Sequence, residues 1–334
     1  MSSNNVLQLC LEKGQSLLSL LPASLQHQLL RPVVRKTLLS LAAIQLLRTV
    51  NGHLNQRIQN NGVRARPWNP SQALAVVTGG SSGIGRQIVE DLSELGVTVI
   101  IFDIKEPTFA LPSNVFYYKV DITSPPAVKD AATHVRKDHG NPTILINNAG
   151  VAFVSTILDQ PEAEIRLCFD VNTISHYWTV KEFLPDMLRR DHGHIVTIAS
   201  TASFAGAGAM ADYSGSKVAA LAFHESLTQE IRHWYGAKRV RTSVIHPNFV
   251  QTPMTNFLFK EGLLSREPLI TTKQVAQAVV KQLVGGNSGR VVVPSSRGIL
   301  AMIRTLPGWM QEKLLDQASK PFYRIGHLPA PTHP

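Results

Sequence analysis

Residues 78–85 read Thr78-Gly79-Gly80-Ser81-Ser82-Gly83-Ile84-Gly85, and they join a short apolar run at 73–77 to a helical pattern over 84–95. Gly79 can make a tight turn, Gly83 lets backbone approach a pyrophosphate, and Gly85 lets the helix pack closely on a strand. The free N–H groups and the dipole of a helix N-terminus attract phosphate. The stretch therefore predicts a phosphate-binding strand–turn–helix unit, whose binding residues are Gly79, Ser81, Ser82, Gly83, Ile84 and Gly85.

Apolar strands alternate with helices outward from this turn, as far as about residue 295. Further strands are expected at 97–102, 115–120, 143–146, 194–198, 240–245 and 291–293, and helices at about 126–138, 163–189, 211–235 and 272–284. Apolar strands that alternate with helices indicate a parallel sheet covered on both faces. The predicted fold class is therefore α/β, a doubly wound parallel sheet of the Rossmann type.

An acidic residue closes the second predicted strand. Asp103 lies eighteen residues beyond Gly85, where a carboxylate can accept hydrogen bonds from an adenosine ribose and would repel a 2′-phosphate. Ser82, which is not basic, precedes Gly83, and Ile104 follows Asp103. These residues favour NAD, and Lys105 keeps NADP as the alternative. The alternative interpretation is that Asp103 is a solvent-exposed residue at the end of a strand, with no role in binding.

Four polar side chains form a candidate catalytic set. Tyr213 and Lys217 lie four residues apart and so share one face of a predicted helix. A fixed ammonium beside a phenol favours the phenolate and lowers its pKa, which suits it to proton transfer near neutral pH. Ser200 directly follows a predicted strand, where its hydroxyl can hydrogen-bond a reacting carbonyl oxygen. Asn172 lies in the helix that follows the fourth predicted strand.

Taken in this order, the motifs resemble those of the short-chain dehydrogenase/reductase family of single-domain type. The resemblance covers about residues 72–295. It is carried by the Thr78–Gly85 turn, Asp121, Asn147–Gly150, Asn172, Ser200, Tyr213, Lys217 and the segment Pro247–Thr252. Asn248 is a departure, because the family usually has glycine after that proline.

The resemblance implies a role for each matching residue. Tyr213 would be the general acid/base, and Lys217 would lower its pKa and bind the nicotinamide ribose. Ser200 would orient the substrate oxygen, and Asn172 would hold a water in the proton relay. Further cofactor contacts would come from Asp121 and Ile122 at the adenine, Asn148 against the cofactor, and Val250 and Thr252 at the nicotinamide carboxamide.

The net charge of +10 over 334 residues is concentrated before the predicted fold. Residues 1–70 carry eight Lys and Arg against Glu12 alone, and their leucines follow a helical spacing. This pattern predicts amphipathic helices that bind a membrane surface, since basic charge suits anionic headgroups. The alternative is packing on the protein's own core or on a second subunit. A Leu-rich basic segment does not favour a nucleic-acid partner, and the chain lacks the apolar run of eighteen residues that a conventional span needs.

The predicted organisation is an extension at 1–70, a dehydrogenase domain at 71–296 and an amphipathic tail at 297–334. Extension and tail resemble those of the membrane-associated retinol and 17β-hydroxysteroid dehydrogenases. That resemblance implies a lipophilic alcohol or carbonyl substrate, a homo-oligomer, and a location on the cytosolic face of the endoplasmic reticulum or a lipid droplet. The location would be cytoplasmic if the extension is only structural. The alternatives are an NADP-dependent carbonyl reductase of a secondary-metabolite pathway and a non-catalytic cofactor-binding scaffold at a lipid surface.

The remaining reactive side chains have plainer interpretations. The two cysteines are too few for a disulfide framework, and Cys168 is expected to be a buried small hydrophobe. His224 and His233 show no metal-ligand grouping, so no metal is predicted. His246 is expected to be structural rather than a proton relay. A stripe of Met302, Trp309 and Met310 would face a membrane or a subunit interface.

Overall fold

In the computed structural model, which describes Pro22 and residues 31–260 and 270–323, the glycine-rich turn follows an interior strand of a parallel sheet. Seven strands of the described residues form this sheet in the order β3-β2-β1-β4-β5-β6-β7. They are β1 (Leu74–Thr78), β2 (Thr98–Asp103), β3 (Val115–Lys119), β4 (Ile144–Asn147), β5 (Gly193–Ile198), β6 (Val240–Pro247) and β7 (Gly289–Val293). The strand order reverses between β1 and β4, which is where open α/β sheets bind ligands.

Helices cover both faces of the sheet. The helices are α1 (Pro32–Gln59), α2 (Gly83–Glu94), α3 (Pro125–His139), α4 (Glu162–Phe169), α5 (Ser175–Arg190), α6 (Ala211–His233), α7 (Asn256–Lys260), α8 (Thr272–Gly285) and α9 (Gly308–Ser319). Ala75 and Val77 of β1 share a core with α2 and α8, whereas Leu74 and Val76 share one with α3, α5 and α6. Because successive strand residues point to opposite faces, an apolar strand fills both layers at once. The α/β sheet predicted from the sequence is confirmed.

The helix expected over 163–189 is interrupted. A π-helical turn, Asp170–Ile174, separates α4 from α5. Asn172 lies in this turn, fully buried. Its side-chain amide donates to the carbonyl oxygen of Val151 at 2.9 Å, and its Oδ1 accepts from the Val151 N–H at 2.9 Å. Single π turns inside helices often occur at functional sites, and this one directs an amide toward the end of β4.

The described part of the N-terminal extension contains one α-helix, α1, which has no buried residue, followed by non-helical chain to residue 69. The leucines at 17–21 and at 25–30 lie outside the described residues. The chain divides into two compact units, Met1–Arg57 and Ile58–Pro334, so the division falls before the predicted boundary at 70. Among the described residues, none of the helices combines the length and the hydropathy that crossing a bilayer requires.

Residues just after this division are bound into the second unit by a buried arginine. Arg241, on β6, is 2% exposed. Its guanidinium donates to the carbonyl oxygens of Asn60 at 3.2 Å and Val63 at 2.6 Å. It also donates to those of Lys238 and Gly286, at 2.7 and 3.0 Å. Segment 58–66 therefore supplies acceptors that a buried charge needs.

The C-terminal segment packs on the second unit. It consists of a 3-10 helix, Ser295–Thr305, then α9, then a 3-10 turn, Lys320–Phe322. Phe322 is buried in a cluster with Met210 and Leu258, and the Ser319 hydroxyl accepts from the N–H of Gly208 at 2.9 Å. Residues 324–334 of the predicted tail lie outside the described residues.

Candidate active site

The glycine-rich turn has the tight geometry that its sequence predicts. Gly79 and Gly83 have φ values of 66° and 55°, in the region that favours glycine. A methyl group at Gly85 would collide with the carbonyl oxygen of Gly79 and the side-chain amide of Asn148. The turn leads into α2, and the first N–H groups of a helix have no acceptor within the helix.

The ends of β1 and β4 are joined directly behind this turn. The Thr78 hydroxyl accepts from the N–H groups of Asn148 and Ala149, both at 3.0 Å. The Asn148 amide donates to the carbonyl oxygens of Thr78 and Gly79, at 3.0 and 3.2 Å. Asn148 therefore holds the turn in place. Thr78 was not predicted as a site residue, and its position just before the first glycine is the signal that marks it.

Asp103 at the end of β2 is fixed by two backbone hydrogen bonds. Its carboxylate accepts from the N–H of Ser81 at 3.0 Å and from the N–H of Lys105 at 3.0 Å. The Ser81 hydroxyl donates to the carbonyl oxygen of Lys105 at 2.7 Å. The acidic side chain is thus tied to the phosphate turn, in a half-buried position from which it lines the same cavity.

Ser200, Tyr213 and Lys217 meet at the carboxyl end of β5. Lys217 is 4% exposed, and its ammonium donates to the carbonyl oxygen of Ile198 at 3.1 Å. The same ammonium lies 5.8 Å from the centre of the Tyr213 ring. The Ser200 hydroxyl accepts from the N–H of Ala202 at 3.1 Å. Ser200, which follows β5, therefore lies close to Tyr213 and Lys217 of α6 at the carboxyl end of the sheet.

The pKa values of the pair differ from the sequence expectation. Burial raises the pKa of Tyr213, and the hydrogen bond with Ser200 acts in the opposite direction. Burial also lowers the pKa of Lys217 to about 8. The protein alone therefore does not produce the lowered phenol pKa expected from the pair. The physical reason is that the loss of hydration of the phenolate outweighs the favourable contacts.

Asn172 lies behind this group and is joined to it through Ser216. The Asn172 amide donates to the Ser216 hydroxyl at 2.9 Å, and that hydroxyl donates to the carbonyl oxygen of Tyr213 at 2.8 Å. The amide also lies 3.3 Å from Cys168 Sγ. Cys168 is buried as expected, and burial raises its pKa to about 12. Ser216 was not predicted as a site residue. Its position directly before Lys217 is the feature of the sequence that could have indicated it.

One cavity of about 650 Å³ joins most of the predicted site residues. Its lining includes Gly79, Ser82, Gly83, Ile84, Asp103, Asp121, Ile122, Asn148, Ser200, Tyr213, Lys217, Val250 and Thr252. Thr252 faces the turn, with Cγ2 3.5 Å from the position of a Cβ on Gly83. Ser81, Gly85 and Asn172 are not among the lining residues and lie behind the wall. The structure thus assembles residues from separate loops along one edge of the sheet.

The cavity has two chemically different ends. The glycine turn and Asp103 line one part. The other part includes the polar side chains of Arg297 and Gln317 but is mostly apolar, with Met210, Leu258, Leu300, Ile303, Leu314, Ala318 and Phe322. The last five come from the C-terminal segment, which the sequence motifs did not place in the site.

The buried histidines are neutral. His246 Nδ1 donates to the carbonyl oxygen of Ser200 at 2.9 Å, and burial lowers its pKa to about 4. It therefore holds the backbone at Ser200. His224 Nδ1 lies 3.0 Å from the Thr197 hydroxyl, and burial lowers its pKa to about 3. Across the described residues, His, Cys, Asp and Glu side chains form no group of three or more that could hold a metal ion.

This fold and this arrangement define a class of protein. The model of the short chain dehydrogenase family matches residues 73–262, and the chain belongs to that family. It is therefore an NAD(P)-dependent oxidoreductase that acts on alcohol or carbonyl groups. The narrower resemblance noted from the sequence, to the retinol and 17β-hydroxysteroid dehydrogenases, is also confirmed.

Particular relatives support this assignment. Dehydrogenase RED2 of Cochliobolus heterostrophus is 41% identical over 222 residues, which cover 64% of this chain and 84% of that protein. Estradiol 17-beta-dehydrogenase 11 of Rattus norvegicus is 31% identical over 251 residues, 73% of this chain and 81% of that protein. Epidermal retinol dehydrogenase 2 of Homo sapiens is 33% identical over 225 residues, 65% of this chain and 72% of that protein.

The fold has a counterpart among solved structures. The ligand-free aldohexose dehydrogenase of Thermoplasma acidophilum superposes with a TM-score of 0.58 and 24% identity. The match covers 66% of this chain and 92% of that one. At this identity the likeness concerns the fold alone.

Proposed function

We propose that this chain is an NAD-dependent dehydrogenase/reductase of a lipophilic alcohol or its carbonyl, with Tyr213, Lys217, Ser200 and Asn172 as its catalytic set. The observation that carries the proposal is the shared cavity, in which Tyr213 lies between the phosphate turn and an apolar wall. Ligand sites are mostly apolar, with a few convergent polar groups that fix orientation. Here the polar groups converge at Ser200 and Tyr213, and the wall beyond them suits a hydrocarbon body.

Tyr213 and Ser200 act on the substrate oxygen. The glycine turn, Asp103 and Lys217 would hold a nicotinamide coenzyme, which would supply the hydride acceptor for an alcohol or the hydride donor for a carbonyl. In the oxidation, the Tyr213 phenolate takes the hydroxyl proton as the carbon loses its hydride; in the reduction, the phenol returns that proton. The Ser200 hydroxyl donates a hydrogen bond to the substrate oxygen and stabilises the negative charge that develops there.

Lys217 and Asn172 support Tyr213. A protonated Lys217 favours the phenolate by its charge, and its pKa near 8 leaves it mostly protonated at neutral pH. Asn172 shares its amide between Val151 and Ser216, which fixes the geometry around Gly150. A water held there would connect Lys217 to solvent. The support for this assignment is that Asn172 Oδ1 and Lys217 Nζ both lie within 3.5 Å of the position of a Cβ on Gly150.

The choice of NAD over NADP is supported by Asp103. Its carboxylate lines the cavity and is held by the N–H groups of Ser81 and Lys105. A fixed negative charge there can accept hydrogen bonds from ribose hydroxyls and repels a 2′-phosphate. The Gly85 position, where no side chain fits, supports close packing of α2 on the turn that carries these groups.

The proposal places the enzyme at a membrane surface, on the cytosolic face of the endoplasmic reticulum or a lipid droplet. Its support is the charge of residues 1–70 and the exposed apolar side chains of α1. Leu39, Leu46 and Leu47 of α1 are each more than three-fifths exposed. The names of the estradiol and retinol dehydrogenases similar to this chain refer to lipophilic substrates, and such substrates reside in membranes.

The test is a panel of retinoids, sterols and fatty alcohols with NAD⁺ and NADP⁺, followed by nicotinamide absorbance. We expect turnover of at least one class, faster with NAD⁺. Tyr213→Phe should lower kcat by at least ~100-fold, because it removes the transferable proton. Its Kd for NADH, measured by calorimetry, should stay within a few-fold of the wild-type value. Equal kcat in the variant would refute the role of Tyr213, and NADH binding without turnover of any substrate would favour a scaffold.

A further inference from the structure

The 3-10 helix Ser295–Thr305 has two apolar faces. Three residues complete one turn of such a helix, so residues three apart share a face. Leu300 and Ile303 line the substrate end of the cavity. Ile299 and Met302 each come one residue before one of these, so they lie on a different face of the helix. They are 69% and 59% exposed. One face therefore lines the cavity. The apolar residues of the other face are exposed, so packing inside the protein does not account for them.

Helix α9 repeats this division. Leu314 and Ala318 line the cavity, whereas Trp309 is 63% exposed. At 100° per residue, Trp309 points about 140° away from Leu314 and about 180° away from Ala318. We call Ile299, Met302 and Trp309 the outer apolar face of the C-terminal segment. It lies on two consecutive elements whose inner side chains form one wall of the cavity.

A second wall shows the same pattern. Ala152 and Val154 line the cavity in the loop after β4, and the N–H of Ser155 donates to the carbonyl oxygen of Ala209 at 3.0 Å. A few residues later, Ile157 and Leu158 are 74% and 95% exposed. Two separate segments thus pair an apolar cavity wall with exposed apolar side chains.

The charges around the outer apolar face indicate what covers it. Outside the cavity wall, residues 295–323 carry three basic side chains, Arg304, Lys313 and Lys320, against Glu312 and Asp316, while Arg297 lines the cavity. Lys313 lies over the Trp309 ring at 5.1 Å. A lysine beside a tryptophan suits the lipid headgroup region, where the ring is half buried and the ammonium reaches water and phosphate. A protein interface favours it less, because lysine is depleted there.

We propose that the outer apolar face docks on an anionic lipid surface, and that lipophilic substrate passes from the lipid into the cavity beside it. This contact is separate from any made by the N-terminal extension. The inference rests on the proposed lipophilic substrate for its purpose, but the docking itself does not depend on catalysis. Burial of three large apolar side chains and attraction of the basic side chains Arg304, Lys313 and Lys320 to anionic lipid both favour the contact.

Quenching of tryptophan fluorescence tests the docking on the full chain. The chain has four tryptophans, Trp68, Trp178, Trp234 and Trp309. Vesicles of phosphatidylcholine and phosphatidylserine with brominated acyl chains should quench the wild type, and Trp309→Phe should remove most of that quenching. Trp234→Phe is the matched control, since Trp234 directly follows α6 and is 76% exposed. Equal quenching in the wild type and Trp309→Phe would overturn the proposal.

A triple variant, Ile299→Ser, Met302→Ser and Trp309→Ser, tests the passage of substrate. For a fatty alcohol dissolved in the same vesicles, we expect the apparent KM to rise at least ~10-fold, as the apolar contact is lost. For a small water-soluble alcohol, kcat and KM should not change, because none of the three residues lines the cavity. Trp234→Ser should leave both substrates unaffected.

The outcomes separate this inference from the proposed function. If no alcohol is oxidised by the wild type, the proposed function fails while the quenching result still decides the docking. If the triple variant turns over both substrates normally, the passage of substrate from lipid is refuted. If sedimentation shows that the triple substitution splits a dimer and quenching is unchanged, the face is a contact between two copies and the proposal is overturned.

Discussion

Lys217, which the proposed mechanism uses to favour the Tyr213 phenolate, lowers the stability of the fold. Its ammonium is buried with one backbone acceptor, and burial lowers its pKa from 10.5 to about 8. Between pH 8 and 10.5 the unfolded chain binds more protons at this group than the folded chain. The free energy of unfolding therefore rises with pH across that window, and below pH 8 the buried charge costs on the order of 3 kcal/mol.

We predict that Lys217→Met is more stable than the wild type at pH 7, by about 1–3 kcal/mol, while its kcat falls by at least ~100-fold. The lower end of the ~1–3 kcal/mol range allows for the cost of leaving the Ile198 carbonyl oxygen without its hydrogen-bond donor. Urea unfolding at several pH values measures the difference, which should disappear above pH 10.5. A variant less stable than the wild type at pH 7 would show that the ammonium is net stabilising.

Gly85 is the residue on which the approach of α2 to the turn depends. Gly85→Ala places a methyl against the backbone of Gly79, which cannot yield as a flexible side chain would. We expect a loss of stability of about 1–3 kcal/mol, as for other overpacked sites. We also expect at least ~10-fold weaker NADH binding by calorimetry, because the turn must shift. Gly308→Ala, where a Cβ meets nothing within 4 Å, is the control and should change neither quantity.

At the scale of elements, the end of β2 connects the turn to the choice of cofactor. We predict that Asp103→Asn, which keeps an oxygen to accept from Ser81, lowers the ratio of kcat/KM for NAD⁺ to that for NADP⁺ by at least ~10-fold. The reason is the loss of a fixed negative charge near the 2′ position. Asp121→Asn removes a carboxylate at the end of the next strand and should shift the ratio much less. A wild type that prefers NADP⁺ would contradict the role given to Asp103.

The elements differ in how far the sequence predicts them. The strands follow from apolar runs such as residues 97–102, because a parallel strand is buried on both faces. The π turn at Asp170–Ile174 does not, since the hydrophobic spacing of its flanks is that of an ordinary helix. Residues four apart on a helix, such as Tyr213 and Lys217, can be predicted from the sequence to lie next to each other. The contacts of Asn172 with Val151 and Ser216 join distant parts of the chain, and no local pattern encodes them.

At the scale of the whole molecule, the same limit applies to the boundary of the extension. Residues 1–70 taken together are basic and Leu-rich, and they end in the prolines at 67 and 70, which suggests a boundary at 70. The Arg241 guanidinium donates to the carbonyl oxygens of Asn60 and Val63, and so joins residues before that boundary to β6. Asn60 also accepts from the N–H of Ser288 at 2.8 Å, so the loop before β7 depends on the same segment. A partner that is distant along the chain is not visible in composition.

Two deletions separate the roles of these segments. Deleting residues 1–57 removes α1 up to the division between the units and leaves every acceptor of Arg241 in place. That protein should bind NADH normally but bind phosphatidylserine vesicles less, because apolar surface and basic charge are lost. Deleting residues 1–70 removes two acceptors of a buried guanidinium, and we expect a further loss of about 3–5 kcal/mol in urea unfolding. Arg241→Met, made in the 1–70 deletion, should recover part of that loss by removing the uncompensated charge. Equal stability of the two deletions would show that segment 58–70 is not part of the folded unit.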